Sequence, residues 1–355
     1  MLSTSILITI GLIPLCSAIP HYVHSRIDLE HLPGSVKPRY GVETITESNY
    51  FWFGSFNVGN SRNLTLLIDT GSSDVIINPG YYRRGSASVN IHKNFTNTYG
   101  STESDGSGTG TVTGSLYNDT VSFGSFHAHQ TVGSASAGAS GDALIPADGI
   151  VGFAGLEESA FGGASPFFHS LCDQGLVSAC RFGVILWDDG KGTQVLGALD
   201  KSLFKGELTT TSIIQEWVMW ADIALNGRII ERNAIVELDT GTATIIGPLD
   251  VVIGIFNSSS IPYIVSTSSA GTTVSGYFPC DQPPTLGLVI PSRQNSTDAR
   301  RDNSNSVSHN SNLFNIAPDQ WAATNNGNNN CTAVLSGTDA LPYSNLWVVG
   351  QRELT

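Results

Sequence analysis

The chain has 355 residues, of which 40% are hydrophobic and 13% charged, with 30 acidic against 17 basic side chains and a formal net charge of −13 at pH 7. An acidic surface argues against nucleic acid as a partner, keeps like molecules apart near neutral pH, and repels itself less as pH falls. Many secreted proteins are acidic for solubility alone, so charge by itself does not select an activity.

Taken in order, Leu2 to Cys16 is an apolar run broken only by Ser, Thr, Gly and Pro, ending in the small residues Cys16-Ser17-Ala18. This reads as a secretory signal, 1–18. The run is shorter than the ~20 apolar residues of a membrane-spanning helix, so the mature chain is expected outside the cell and off the membrane. Residues 19–44 carry His21, His24, Arg26, His31, Lys37 and Arg39 beside Asp28, Glu30 and Glu43, as a short prosegment or a plain N-terminal tail. From Tyr50, short segments rich in Val, Ile, Thr and Phe are punctuated by Gly and Asn, an all-β texture. A helix is predicted at Ser165 to Gly175, with Ser as N-cap, Pro166 in the first turn and Gly as stop.

The texture repeats from about Glu207, with a second helix expected within Gly247 to Phe256. Ser292 to Asn312 is a polar tract without apolar periodicity, read as a mobile surface insertion. The Asn-rich stretch Asn325 to Asn330 reads as a similar tip. Sequons stand at Asn63, Asn94, Asn118, Asn257 and Asn295, with a poorer one at Asn330; they permit glycosylation without requiring it. His127 and His129 alternate on a predicted strand and share a face, as two metal ligands or as ordinary surface histidines. The sequence shows no third ligand nearby, no Gly-x-Ser-x-Gly, no His-Glu-x-x-His and no phosphate-cradling loop. Four cysteines remain after Cys16, an even number that favours two disulfides in a secreted chain.

Two stretches organise the rest. Leu66-Leu67-Ile68-Asp69-Thr70-Gly71-Ser72-Ser73 places a carboxylate at the end of an apolar strand before a tight turn. Ile235-Val236-Glu237-Leu238-Asp239-Thr240-Gly241-Thr242 repeats the design in the other half. One copy would be a strand-ending turn; two copies suggest a duplication that brings like loops together across a two-fold axis. Two carboxylates meeting there cannot both ionise cheaply, so they share a proton, one serving as base toward a water and the other as acid. Gly71 and Gly241 permit the turn. Ser72 and Thr242 offer hydroxyls to the outer carboxylate oxygens.

These residues resemble the pepsin-like aspartic endopeptidases, especially the secreted fungal type, over about residues 45 to 350. Asp148 to Gly152 and Leu346 to Gly350 look like the strands that cross behind each catalytic loop of that family. The resemblance implies an all-β, bilobal pepsin-like fold of two barrel-like lobes, 45–206 and 207–355, with a cleft between them and few short helices. It implies catalysis by Asp69 and Asp239, supported by Thr70, Gly71, Ser72, Thr240, Gly241 and Thr242. It further implies protein or peptide substrates with apolar residues beside the scissile bond, a monomer, and chemistry that needs neither metal nor cofactor. A Cys280–Cys331 disulfide matches the family's second lobe, and Cys172 with Cys180 then pair by elimination and closeness.

Two departures from the family pattern stand out. The flap hairpin, aligned on Gly108-Thr109-Gly110, puts Ser107 where the family has Tyr, and Ile76 replaces the Trp that bonds to that Tyr. Ser107, Gly108 and Thr109 are therefore the expected flap contacts to substrate, with the tyrosine absent. After Gly350 only Gln351 to Thr355 follow, where the family continues for roughly 25 residues, about two strands and their turns; the second lobe is accordingly expected to be truncated, as from a mispredicted gene end. The alternative to an active enzyme is a weak or inactive pepsin-fold binding or decoy protein. A carbohydrate-binding lectin would need repeated exposed aromatics, and none is visible.

Overall fold

In the computed structural model, residues 8–11, 40–101, 108–136, 147–187, 189–206, 208–268, 271–291 and 312–351 are described. The signal and prosegment readings lie largely outside these residues, as does nearly all of the polar tract read from Ser292; Asn312 itself opens a strand.

The first half forms β1 (Ile8–Gly11), β2 (Gly41–Ser48), β3 (Phe51–Val58), β4 (Ser61–Asp69), β5 (Val75–Ile77) and β6 (Val89–Ser101). It continues with β7 (Gly108–Phe123), β8 (Phe126–Ala135), β9 (Gly149–Gly152), helix α1 (Phe167–Asp173), β10 (Arg181–Leu186) and β11 (Lys191–Leu196). The second half forms β12 (Ile213–Gln215), β13 (Val218–Leu225), β14 (Arg228–Leu238), β15 (Ile245–Pro248), helix α2 (Leu249–Ser258) and β16 (Tyr263–Ser268). Then come β17 (Gly271–Phe278), β18 (Leu286–Ile290), β19 (Asn312–Asn315), β20 (Ala322–Asn325), β21 (Cys331–Thr338) and β22 (Leu346–Val349). Each half is one sheet, so the molecule is bilobal and mostly β.

The halves repeat one topology. β4 runs parallel to β9, which is antiparallel to β5; β14 runs parallel to β22, which is antiparallel to β15. Parallel strands buried on both faces read as unbroken apolar runs rather than alternations. β4 shows why: Leu66 and Ile68 join one core cluster while Leu67 joins another on the opposite face. The main first-lobe core is aromatic, with Phe56 stacked on Phe123 at 4.3 Å and Phe182 edge-on to Phe153 at 5.2 Å. Trp217, from the second half of the chain, is 2% exposed within that core and lies edge-on to Phe182 at 5.1 Å. Burying such a side chain contributes about 1.5–3 kcal/mol, so Trp217 pins the two lobes together.

Several sequence expectations shift. β2 begins at Gly41, inside the stretch read as tail, and pairs with β11 and β3; only Ile45 of its eight residues is buried, so its pattern is too polar to announce a strand. Ile8–Gly11, within the stretch read as leader, pairs with β10 at the sheet edge. Helix α1 is capped by Pro166, one residue later than expected, because the Ser165 hydroxyl donates to Asp173 instead. Gly175 stops it at φ +65°. The Cys280–Cys331 disulfide is present, joining the ends of β17 and β21. Cys172 and Cys180 are free thiols, which corrects the second expected pair. They lie near each other where α1 meets the loop before β10, and burial pushes the Cys172 thiol up.

Candidate active site

Both Asp-Thr-Gly turns leave their strands at the junction of the lobes and interlock there. The Thr70 amide donates to Thr240 Oγ1 at 3.0 Å and the Thr240 amide to Thr70 Oγ1 at 2.9 Å. Each hydroxyl passes its own proton to a carbonyl of the opposite lobe, Thr70 to Leu238 and Thr240 to Ile68, both at 2.7 Å. Four buried backbone groups are thereby satisfied by two side chains, which a sheet ladder does not provide at a strand end.

This interlock sets the carboxyls face to face. Asp69 Oδ1 accepts from the Gly71 amide at 2.8 Å and Oδ2 from the Ser72 hydroxyl at 2.5 Å. Asp239 repeats the pattern with Gly241 at 2.7 Å and Thr242 at 2.5 Å. A Cβ on Gly71 would overlap the Asp239 carboxyl, and one on Gly241 the Asp69 carboxyl, so only glycine lets the loops approach this closely. Asp69 is 6% exposed. Burial first, then the Asp239 charge beside it, hold its carboxyl well above the usual carboxylate range.

The crossing strands lock each loop from behind. Phe153 N donates to Asp69 O at 2.7 Å, and Asp239 N donates to Val349 O at 2.9 Å. A Cβ on Gly152 would overlap the backbone of Ser72 and Ser73, and one on Gly350 the Thr242 carbonyl, so glycine is again required. Trp217 Nε1 closes the seam by donating to Phe153 O at 2.7 Å.

The hairpin of β6 and β7 pairs Tyr99 with Gly110 and Ser101 with Gly108. Ser107 lies outside the described residues; Gly108 and Thr109 begin β7. Tyr99 is the hairpin side chain near the dyad. Burial and then the charges of Asp69 and Asp74 hold its phenol proton. A tyrosine therefore stands on this hairpin, fixed by strand register ahead of the Gly108-Thr109-Gly110 run on which the sequence reading aligned the flap. Tyr99 packs on the cluster containing Ile76, the residue standing where the resemblance expects Trp. Its hydroxyl is buried, within reach of Asn97, and makes no well-formed hydrogen bond.

The sequence reading also passed over Asp74, although it lies within Asp69-Thr70-Gly71-Ser72-Ser73-Asp74. Its carboxyl accepts from Ser159 Oγ and the Ala160 amide, both at 2.7 Å, tying the loop to residues 155–161. Burial outweighs these bonds and pushes it up to about 6. Glu216 and Glu237 were likewise missed, since isolated acids carry no motif. His127 and His129 are both exposed on the outer face of β8, as the alternation predicted, and His127 Nδ1 lies 2.9 Å from Ser122 Oγ.

Mirrored Asp-Thr-Gly loops whose carboxyls meet at the seam of a duplicated β fold define an aspartic-type endopeptidase. The comparisons with known proteins agree. Residues 51–354 match the eukaryotic aspartyl protease model, and the chain belongs to that family. It is 28% identical over 306 residues to secreted aspartyl protease 1 of Malassezia globosa, covering 84% of this chain and 67% of that one. It is 32% identical over 276 residues to pepsin A of Rhinolophus ferrumequinum, covering 69% and 70%. The match to Sus scrofa pepsin A, also at 32%, spans 62% of that protein's length and 61% of this chain. The crystal structure of an aspartic proteinase from Irpex lacteus shares the fold, with a TM-score of 0.67 at 19% identity, over 89% of this chain and 92% of that one.

Proposed function

We propose that this protein is a secreted endopeptidase that hydrolyses peptide bonds in acid, using a water held between Asp69 and Asp239. The observation that carries the reading is the meeting of two carboxyls at the seam, the glycine of each loop packed against the carboxyl of the other, with Asp69 buried and its proton held well above the ordinary range. The pair keeps one proton. The ionised carboxylate takes a proton from the water as its oxygen bonds to the substrate carbonyl carbon, and the protonated carboxyl gives its proton to the carbonyl oxygen. The resulting diol then collapses. One hydroxyl returns a proton to the dyad, the amide nitrogen is protonated, the C–N bond breaks, and acid and amine products leave with the shared proton restored.

Gly71, Ser72, Gly241 and Thr242 donate to the carboxyls and hold them in plane, so little reorganisation is needed as charge moves. The relative from Malassezia globosa, 28% identical and matched over 67% of its length, is named as secreted, in keeping with the signal-like run at the N-terminus. The test is proteolysis of a denatured protein in acid by the purified chain, with and without a statine-type transition-state inhibitor. Asp69→Asn and Asp239→Asn are each expected to lower the rate by roughly a thousandfold or more, since neither variant can hold the shared proton. Full activity in either variant would remove the dyad from the mechanism.

A further inference from the structure

Beside the dyad lies a carboxyl that the hydrolysis described above does not use. Glu237 precedes Asp239 by two residues on β14, so strand alternation turns both toward the same side, while Ala234 and Val236 face the second-lobe core. Its lateral neighbours are Val218 on β13 and Val348 on β22. Neither side chain can hydrogen-bond it, and Glu237 has no ion-pair partner among the described residues.

Among the described residues, the charged groups that act on it are acidic. Asp239 faces it from the catalytic loop, and Glu158 from the turn Leu156–Glu158, where Gln215 Nε2 holds Glu158 Oε1 at 2.5 Å. Farther along the same seam, Glu216 has one oxygen on His169 Nε2 at 3.1 Å and the other buried without a partner. Burial first, then Asp239 and Glu158, push the Glu237 carboxyl up to about 7, and among the described residues no basic side chain offsets them. An apolar side chain there would leave the wall aliphatic. A half-buried carboxyl so placed is instead partly desolvated, with no ion pair among the described residues to compensate it until a donor or cation arrives.

We propose that Glu237 is a specificity-determining residue whose carboxylate receives the ammonium or guanidinium of a substrate lysine or arginine flanking the scissile bond. This rests on the endopeptidase reading and narrows it: cleavage beside a basic residue is favoured over cleavage beside an apolar one of equal length. The substrate's cation draws the Glu237 proton off, so the selectivity strengthens as pH rises toward neutrality and fades in strong acid, where the carboxyl stays protonated.

The experiment uses the full chain with matched peptides carrying lysine or norleucine at each position flanking one cleavable bond, together with reduced-bond analogues that bind without turnover. Wild type is expected to favour lysine over norleucine at one flanking position by about tenfold in kcat/KM, with a similar ratio in analogue binding. That ratio should grow between about pH 4 and about pH 6.5 and collapse toward one in Glu237→Gln and Glu237→Leu. Both variants are expected to unfold at or above the wild-type temperature near neutral pH, because each removes a desolvated acid. Equal affinity for lysine and norleucine analogues, or a lysine preference that survives in Glu237→Gln, overturns the proposal. Lysine-selective binding lost in Glu237→Gln but without cleavage of any peptide would remove the endopeptidase reading and leave the Glu237 assignment standing.

Discussion

Thr70 and Thr240 each accept the other's backbone amide on a side-chain oxygen, at 2.9 and 3.0 Å. The relationship is reciprocal across the two lobes, and it makes the catalytic geometry a property of their junction. In Thr70→Val the Thr240 amide and the Leu238 carbonyl lose their partner. Each orphaned buried group costs about 1–3 kcal/mol, so unfolding in urea should shift by about 2–6 kcal/mol in total, and acid proteolysis should fall with it. Thr70→Ser keeps the hydroxyl and should retain most of both. Wild-type stability in the valine variant would show that the interlock is not what joins the loops.

Tyr99 brings a hydroxyl without a well-formed internal bond to the edge of the dyad. An unpartnered buried hydroxyl adds nothing to folding, so Tyr99→Phe should leave the unfolding temperature unchanged or slightly higher. The same variant should lower kcat/KM on peptides, because a hydroxyl near the dyad with no well-formed internal bond can turn to substrate. Tyr99→Ala also removes the ring packed on Ile76 and its neighbours and should cost about 3 kcal/mol in stability. A lowered unfolding temperature in the phenylalanine variant would show that the hydroxyl is structural.

Asp74 ties stability to acid. Its carboxyl is raised from 3.8 to about 6, so the folded state holds this proton more tightly than the unfolded chain does. The resulting stabilisation is fully present below pH 3.8 and is lost as pH rises through about 6. Asp69 and Glu237, both raised, act with the same sign. Wild type should therefore lose roughly 1–3 kcal/mol from this residue across that window. Asp74→Asn, which carries no titrating proton, should show a flatter profile over the same interval, measured by thermal unfolding against pH. An unchanged slope in the variant would assign the pH dependence elsewhere.

Much of the site was legible because its chemistry is local. Asp69-Thr70-Gly71 and Asp239-Thr240-Gly241 each need an apolar strand, a turn and a hydroxyl within a few residues, and Gly152 and Gly350 recur at fixed places because backbone passes directly behind each loop. Duplication made the pairing of the two halves readable as well. What the sequence left open depends on contacts between distant residues. Tyr99 is set near the dyad by its strand pairing with Gly110, a register that a linear alignment on Gly108-Thr109-Gly110 does not show. Cys172 and Cys180 lie close in sequence and still sit in the structure as thiols. Asp74, Glu216 and Glu237 are ordinary acids in a row of letters. Only the folded chain, by taking water from around Asp74 and Glu237 and by setting Asp239 and Glu158 beside Glu237, makes these two hold their protons, and burial strands one oxygen of Glu216 without a partner.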